Sequence, residues 1–232
     1  MSTKTALIVG ATGLVGKELL HLALNSDIYR KVIVLGRHLL DVEHPALEQH
    51  LVDFDNIESY SALIKADEVY CCLGTTIKKA KSKENFYKID YTYPTEIAKI
   101  AKFNGASVFS LITAMGANKE SLIFYNKVKG SLEEMVSRLQ FKRCNIFRPS
   151  LLLGDRDEFR LGEEIGKVVA QKIDFMMVGS LKRYRAIQAH VVAYAMLHLT
   201  QSAPEGINIF ESNQLQEVYD DARSQPAGLQ AQ

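Results

Sequence analysis

Three glycines at i, i+3 and i+6, Gly10, Gly13 and Gly16, follow directly on the apolar run Thr5-Ala6-Leu7-Ile8-Val9. A strand that becomes a helix over so short a stretch needs residues without a Cβ. The first makes the tight turn, the second lets a pyrophosphate approach the backbone, and the third lets the new helix lie close to the strand. The helix start then offers unpaired N–H groups to an anion. Beyond the loop, Leu14, Val15, Leu19, Leu20, Leu22 and Ala23 form a helical apolar face that ends at Asn25-Ser26. Strand, turn and helix stand in the order a dinucleotide site requires; a purely structural glycine turn is the competing reading.

Short β-rich runs alternate with helical stretches along most of the chain, the pattern of a parallel sheet covered on both faces. Strands are expected near Ala6 to Val9, Lys31 to Leu35, Gln49 to Val52, Glu68 to Leu73, Ser107 to Thr113 and Cys144 to Phe147. These predict an α/β fold with a doubly wound parallel sheet, a Rossmann fold, of strand order 3-2-1-4-5-6. Helices are expected after the first strand, around Tyr60 to Ala66, from Pro94 to Phe103 and from Phe124 to Leu139. The expectation is a single domain over 1–223, of which about 150–223 form a small C-terminal lobe on the substrate side. Within that lobe Gly162 to Ile173 and His190 to Thr200 read as helices, and Phe175 to Val178 and Ile207 to Phe210 as short apolar runs. The tail 224–232 has little to bury and is expected to be disordered.

A net charge of +1 provides no global field for nucleic acid or an anionic membrane, so neither is expected as a partner. The dense basic stretch Lys78-Lys79-Ala80-Lys81-Ser82-Lys83 reads as a solvated loop, or as one overhanging the cleft to attract an anionic substrate or partner. No basic region with a long apolar segment opens the chain, and Thr5 to Val9 is too short to span a bilayer. Cys71, Cys72 and Cys144 are odd in number and lack CxxC spacing, which fits a reduced cytoplasmic setting with the Cys71-Cys72 pair as small core residues. His190 and His198 have no convergent carboxylate or cysteine, and no metal is expected.

The second strand ends in Gly36-Arg37-His38, with no carboxylate until Asp41. An acid at this place accepts from the ribose 2′-OH of NAD, whereas an arginine accommodates the 2′-phosphate of NADP, so Arg37 favours NADP(H). Asp53-Phe54 follows the third strand; Asp53 either meets the adenine or caps a turn. Leu73-Gly74-Thr75-Thr76 follows the fourth, where a glycine lets the backbone pass close to a cofactor. Tyr125 and Lys129, four apart on one helix, bring an ammonium to the same face as a phenol. A tyrosine so placed exchanges a proton with a carbonyl or alcohol oxygen while hydride moves at a nicotinamide, and an amphipathic packing tyrosine is the alternative. Thr113, at the end of the fifth strand, is expected to orient the substrate oxygen. Arg156, Asp157 and Arg160 either bind a substrate anion or pair with nearby acids on the surface.

With these blocks, together with Phe147-Arg148-Pro149 and Asp155-Arg156, the chain resembles the short-chain dehydrogenase/reductases from Thr5 to Phe210. The likeness is to their atypical branch of Tat-interacting oxidoreductase-like proteins, and Cys-Cys-Leu-Gly-Thr-Thr with Tyr-x-x-Val-Lys-Gly carries it most specifically. The resemblance implies an NADPH-binding domain with Tyr125 as proton donor or acceptor and Lys129 on the nicotinamide ribose. It further implies Thr12, Gly13, Leu14 and Val15 along the pyrophosphate and Arg37 and His38 at the adenosine phosphate. Leu73, Gly74 and Leu152 would flank the ribose and nicotinamide, with Arg160 at the edge of the site. Thr113 stands where serine is commoner, and His38 replaces a second basic residue. The expected function is an NADP(H)-dependent oxidoreductase acting on a small-molecule carbonyl or alcohol. A second class is an NADPH-binding sensor that binds a protein partner without turnover. A sugar-nucleotide epimerase fits less well, because the segment after Pro149 is short for gripping a nucleotide sugar.

Overall fold

Strand β1 (Lys4–Val9) is apolar on both faces because both are covered: Ala6 and Ile8 pack into one core, Leu7 and Val9 into another. In the computed structural model, which describes residues 4–154 and 183–224, β1 lies near the middle of a parallel sheet. Its companions are β2 (Tyr29–Gly36), β3 (Leu47–Leu51), β4 (Glu68–Cys71), β5 (Val108–Ile112), β6 (Arg143–Arg148) and β9 (Gly206–Glu211), in the order β3-β2-β1-β4-β5-β6-β9. The predicted order 3-2-1-4-5-6 is present, extended by one strand. The added strand is the Ile207 to Phe210 run expected in the C-terminal lobe: Ile207 lies opposite Cys144 and Phe210 opposite Phe147, so it forms the sheet's edge. A minor parallel pair, β7 (Leu152–Leu153) and β8 (Ile187–Gln188), stands apart.

Helix α1 (Leu14–Leu24) covers the Ala6 and Ile8 face. Between β4 and β5 lie α2 (Ile77–Ala80), α3 (Lys83–Tyr87), a π-helical turn over Lys88–Thr92 and α4 (Tyr93–Phe103); α5 (Phe124–Ser137) follows β5. α4 and α5 cover the Leu7 and Val9 face through Ile97, Ala98, Ala101, Leu132 and Val136. Helices α6 (Ala189–Ser202) and α7 (Ser212–Ser224) join α1 on the first face.

Local chemistry accounts for the departures from expectation. The helix expected at Tyr60 to Ala66 is a 3-10 segment over Phe54–Leu63, kinked at Asn56 and Tyr60 and capped by Asp53. The basic stretch is not a loop: Thr76 caps α2, Ser82 caps α3, and Lys81 turns between them with φ of 66°. Strand β4 stops at Cys71 rather than Leu73. Gly162 to Ile173, Phe175 to Val178 and the tail from 225 lie outside the described residues. Among the described residues no helix is long and apolar enough to cross a membrane.

A buried polar knot pins α6 to the sheet. Glu68 accepts from Tyr29 Oη at 2.5 Å, Gln201 Nε2 at 2.7 Å and Lys4 Nζ at 2.8 Å, and Tyr29 Oη meets Tyr70 Oη at 2.6 Å. Burial raises the pKa of both phenols, and the neighbouring Glu68 charge adds to it, so both stay neutral. Glu68→Ala removes the shared acceptor and is expected to destabilise the fold by about 2–4 kcal/mol in a urea titration; a loss within error would contradict the knot's role.

Candidate active site

The glycine loop closes against the end of β4. Gly10 has φ of +82°, and a Cβ there would lie 2.6 Å from the Cys72 carbonyl carbon and oxygen, so this position admits only glycine. Gly13 N–H donates to Gly10 O at 2.9 Å, and a Cβ on Gly16 would lie 2.2 Å from Gly10 O. Gly13 is the N-cap of α1, and the first turn carries neither a side-chain cap nor an acid. The N–H groups of Leu14, Val15 and Gly16 therefore have no partner within the helix, and no acid in its first turn repels an anion. This cradle suits a dinucleotide pyrophosphate. Thr12 is exposed and Leu14 half-buried beside it, whereas the Val15 side chain is in the core, leaving its backbone for the anion.

Arg37 and His38 are exposed just beyond β2, at the same sheet end as Gly10 because Leu35 pairs with Val9. Asp53 takes the capping role: its carboxylate accepts from Asp55 N–H at 3.0 Å. The Phe54 ring is in the core, 5.5 Å from the Tyr93 ring. Leu73, Gly74 and Thr75 are half-buried along the crevice beyond β4. Leu152 packs on the core near α1, and a Cβ on the neighbouring Gly154 would lie 2.9 Å from Leu14 Cδ2, which brings β7 to the start of α1. Arg156, Asp157 and Arg160 lie outside the described residues.

On α5, Tyr125 is half-buried with its ring 5.4 Å from Phe86, and Lys129 is buried. Lys129 Nζ lies 2.7 Å from Asp90 Oδ1, with side chains 4% and 0% exposed. Asp90 Oδ2 accepts from Thr75 N–H at 2.8 Å, and a Cβ on Gly74 would lie 3.4 Å from Asp90 Oδ1 and 3.5 Å from Lys129 Nζ. Burial works against the ammonium most strongly; Asp90, then Tyr125 and Cys71, outweigh it and hold the Lys129 pKa above its ordinary value. The sequence reading did not single out Asp90, whose only local signal is an acid inside a helical run ahead of Pro94. Burial pushes the Cys71 thiol up to about 12 and raises that of Cys72, which suits packing residues rather than nucleophiles.

Thr113 does not present its hydroxyl to the crevice. It is buried and donates to Glu133 Oε1 at 2.5 Å, and Glu133 also binds Arg148 through Nε at 3.0 Å and Nη2 at 2.5 Å. The side chain at the end of β5 thus faces α5 and braces it against β6. Glu133 was missed as well, although it falls with Lys129 on the apolar stripe of Val128, Leu132 and Val136, where an unpaired charge would be costly.

The sequence profile of the NAD dependent epimerase/dehydratase family matches residues 6–135, from β1 through most of α5. This chain belongs to that family. Binding of a dinucleotide of the NAD(P) kind follows from the membership and from the glycine cradle. Within the family the chain is similar to Protein HTATIP2 of Rattus norvegicus, 38% identical over 171 residues, covering 72% of this chain and 70% of that protein. It is similar also to Protein FMP52, mitochondrial, of Candida albicans, 37% identical over 174 residues and covering 73% and 75% of the two chains. In fold it resembles Bordetella bronchiseptica WbmH in complex with NAD+, with TM-score 0.66 at 16% identity over 97% and 83% of the two chains. A short chain dehydrogenase family protein from Francisella tularensis gives 0.65 at 16% identity over 92% and 99%.

For this family member, the Thr113 contact makes a prediction. Thr113→Val is expected to cost about 1–3 kcal/mol in chemical denaturation by leaving Glu133 short of a donor, while Thr113→Ser retains most of the stability. Intact stability in Thr113→Val would show that the hydroxyl is not a brace.

Proposed function

We propose that the protein is an NADP(H)-dependent oxidoreductase acting on a small-molecule carbonyl or alcohol, with Tyr125 exchanging the proton at the substrate oxygen. The observation that carries this reading is the convergence of Tyr125, Lys129 and the Gly74–Thr75 backbone at the carboxyl end of the sheet, beside the glycine cradle. The backbone N–H groups that open α1 would hold the pyrophosphate, with Arg37 and His38 at the adenosine 2′-phosphate. Arg37 is exposed and, among the described residues, has no ion-pair partner, so its guanidinium is available to a phosphate. Lys129 would meet the nicotinamide ribose from below the crevice. When bound, the nicotinamide supplies or accepts the hydride. Tyr125, fixed by its packing on Phe86, supplies or takes the proton. Three unpaired cysteines support a reducing compartment.

One observation favours a second reading, an NADPH-responsive sensor without turnover. The Thr113 hydroxyl, expected to orient a substrate oxygen, is spent on Glu133. Two experiments test the proposal, the first its cofactor preference and the second its chemistry. Arg37→Ala is expected to weaken NADPH binding about 10-fold or more and leave NADH binding unchanged, measured by nicotinamide fluorescence; equal losses for both would remove the NADP preference. Tyr125→Phe is expected to lower carbonyl reduction by about 100-fold or more across a substrate panel with NADPH affinity preserved. Tight NADPH binding by the parent with no turnover on any carbonyl would establish the sensor instead.

A further inference from the structure

Lys129 and Asp90 are both sealed from solvent, and they come from distant parts of the chain. The group facing Lys129 from the π-helical turn is Asp90; Tyr125 faces it from its own helix and Cys71 from β4. Cys71, pushed up to about 12, is neutral at physiological pH and cannot serve as the counter-charge. Asp90 binds in two directions at once. One oxygen lies 2.7 Å from the ammonium without an aligned hydrogen bond, and the other takes the Thr75 N–H. The absent Cβ of Gly74 lets the crevice backbone rest against both charges. Asp90 itself stands on a π turn, a local departure from α geometry that re-aims side chains and recurs at functional sites.

We propose that Asp90 is a positioning residue, whose carboxylate keeps Lys129 an ammonium and fastens it to the Gly74–Thr75 backbone, so that crevice floor and lysine form one rigid unit. The inference rests on the reading of Lys129 as a residue of the nicotinamide end, but its central claim concerns the lysine's charge. Without the carboxylate, burial dominates and favours the neutral amine. Asp90→Asn keeps the shape and an acceptor for Thr75 N–H while removing the charge, so a purely steric role would survive it.

The test follows the Lys129 side chain by NMR of the full-length protein with isotope-labelled lysine, using Lys129→Arg to assign the signal. In the parent, Lys129 is expected to remain protonated to at least about pH 10. In Asp90→Asn its proton affinity is expected to fall about 100-fold or more, and NADPH affinity to decline more steeply than the parent's as pH rises from about 7.5 to 9, above the range in which an imidazole or a phosphate monoester changes charge. Asp90→Glu is expected to restore much of the parent titration. An unchanged Lys129 titration in Asp90→Asn overturns the proposal. A displaced titration with NADPH affinity following the parent's pH dependence supports the charge assignment and overturns the reading of Lys129 as a cofactor residue. Should Asp90→Asn unfold, thermal melting of Lys129→Met is compared with that of Asp90→Asn/Lys129→Met. The double variant is expected to melt above Lys129→Met alone, and a double variant that melts at or below it overturns the coupling.

Discussion

Two opposite charges buried together constrain this molecule more than any other contact. An ammonium or a carboxylate sealed from water costs several kcal/mol unless a partner meets it at close range, and Lys129 and Asp90 meet at 2.7 Å. For that to happen, α5, the π turn ahead of α4 and the backbone after β4 must converge at one place. Glycines make the approach possible. Gly74 leaves room above the pair, and Gly130, one residue beyond the lysine, lets α5 lie where a Cβ would come within 2.3 Å of the Asn118–Lys119 backbone.

The same rule organises the other buried acids. Glu133 is shared by Thr113 and Arg148, and thereby braces α5 against β5 and β6. Glu68 is shared by Tyr29, Gln201 and Lys4, and fastens α6 to the starts of β1 and β4. Non-directional apolar packing fills both faces of the sheet, but these polar contacts select one register and one helix placement. The glycine loop, Arg37 and Tyr125 are found at the carboxyl ends of the strands.

The central sheet was legible because its signals are local. Apolar runs bounded by turns place strands, and the glycine spacing places the turn into α1. Tyr125 and Lys129 were legible because a separation of four puts two residues on one helix face whatever surrounds the helix. Thr113 was assigned to the crevice from its place at a strand end, yet a strand end offers two faces and the occupied one belongs to Glu133. Asp53 had two readings, and the Asp55 N–H on its carboxylate is the contact that the capping one requires. The Ile207 to Phe210 run was placed in the lobe since a short apolar run does not announce its partner; pairing with β6 makes it an edge strand. Glu133 was detectable in principle, being a charge on the buried stripe of α5, whereas Asp90 had almost no local signature.

By itself the sequence determined the alternation of strands and helices, the dinucleotide loop, and the pairing of a tyrosine and a lysine on one helix. Each depends on residues a few positions apart, where backbone geometry alone sets the neighbours. Tertiary structure decided which charge answers Lys129, which way Thr113 faces and where the last strand adds. Those contacts join residues far apart in sequence, and only the order of strands in the sheet brings them within a hydrogen bond's reach.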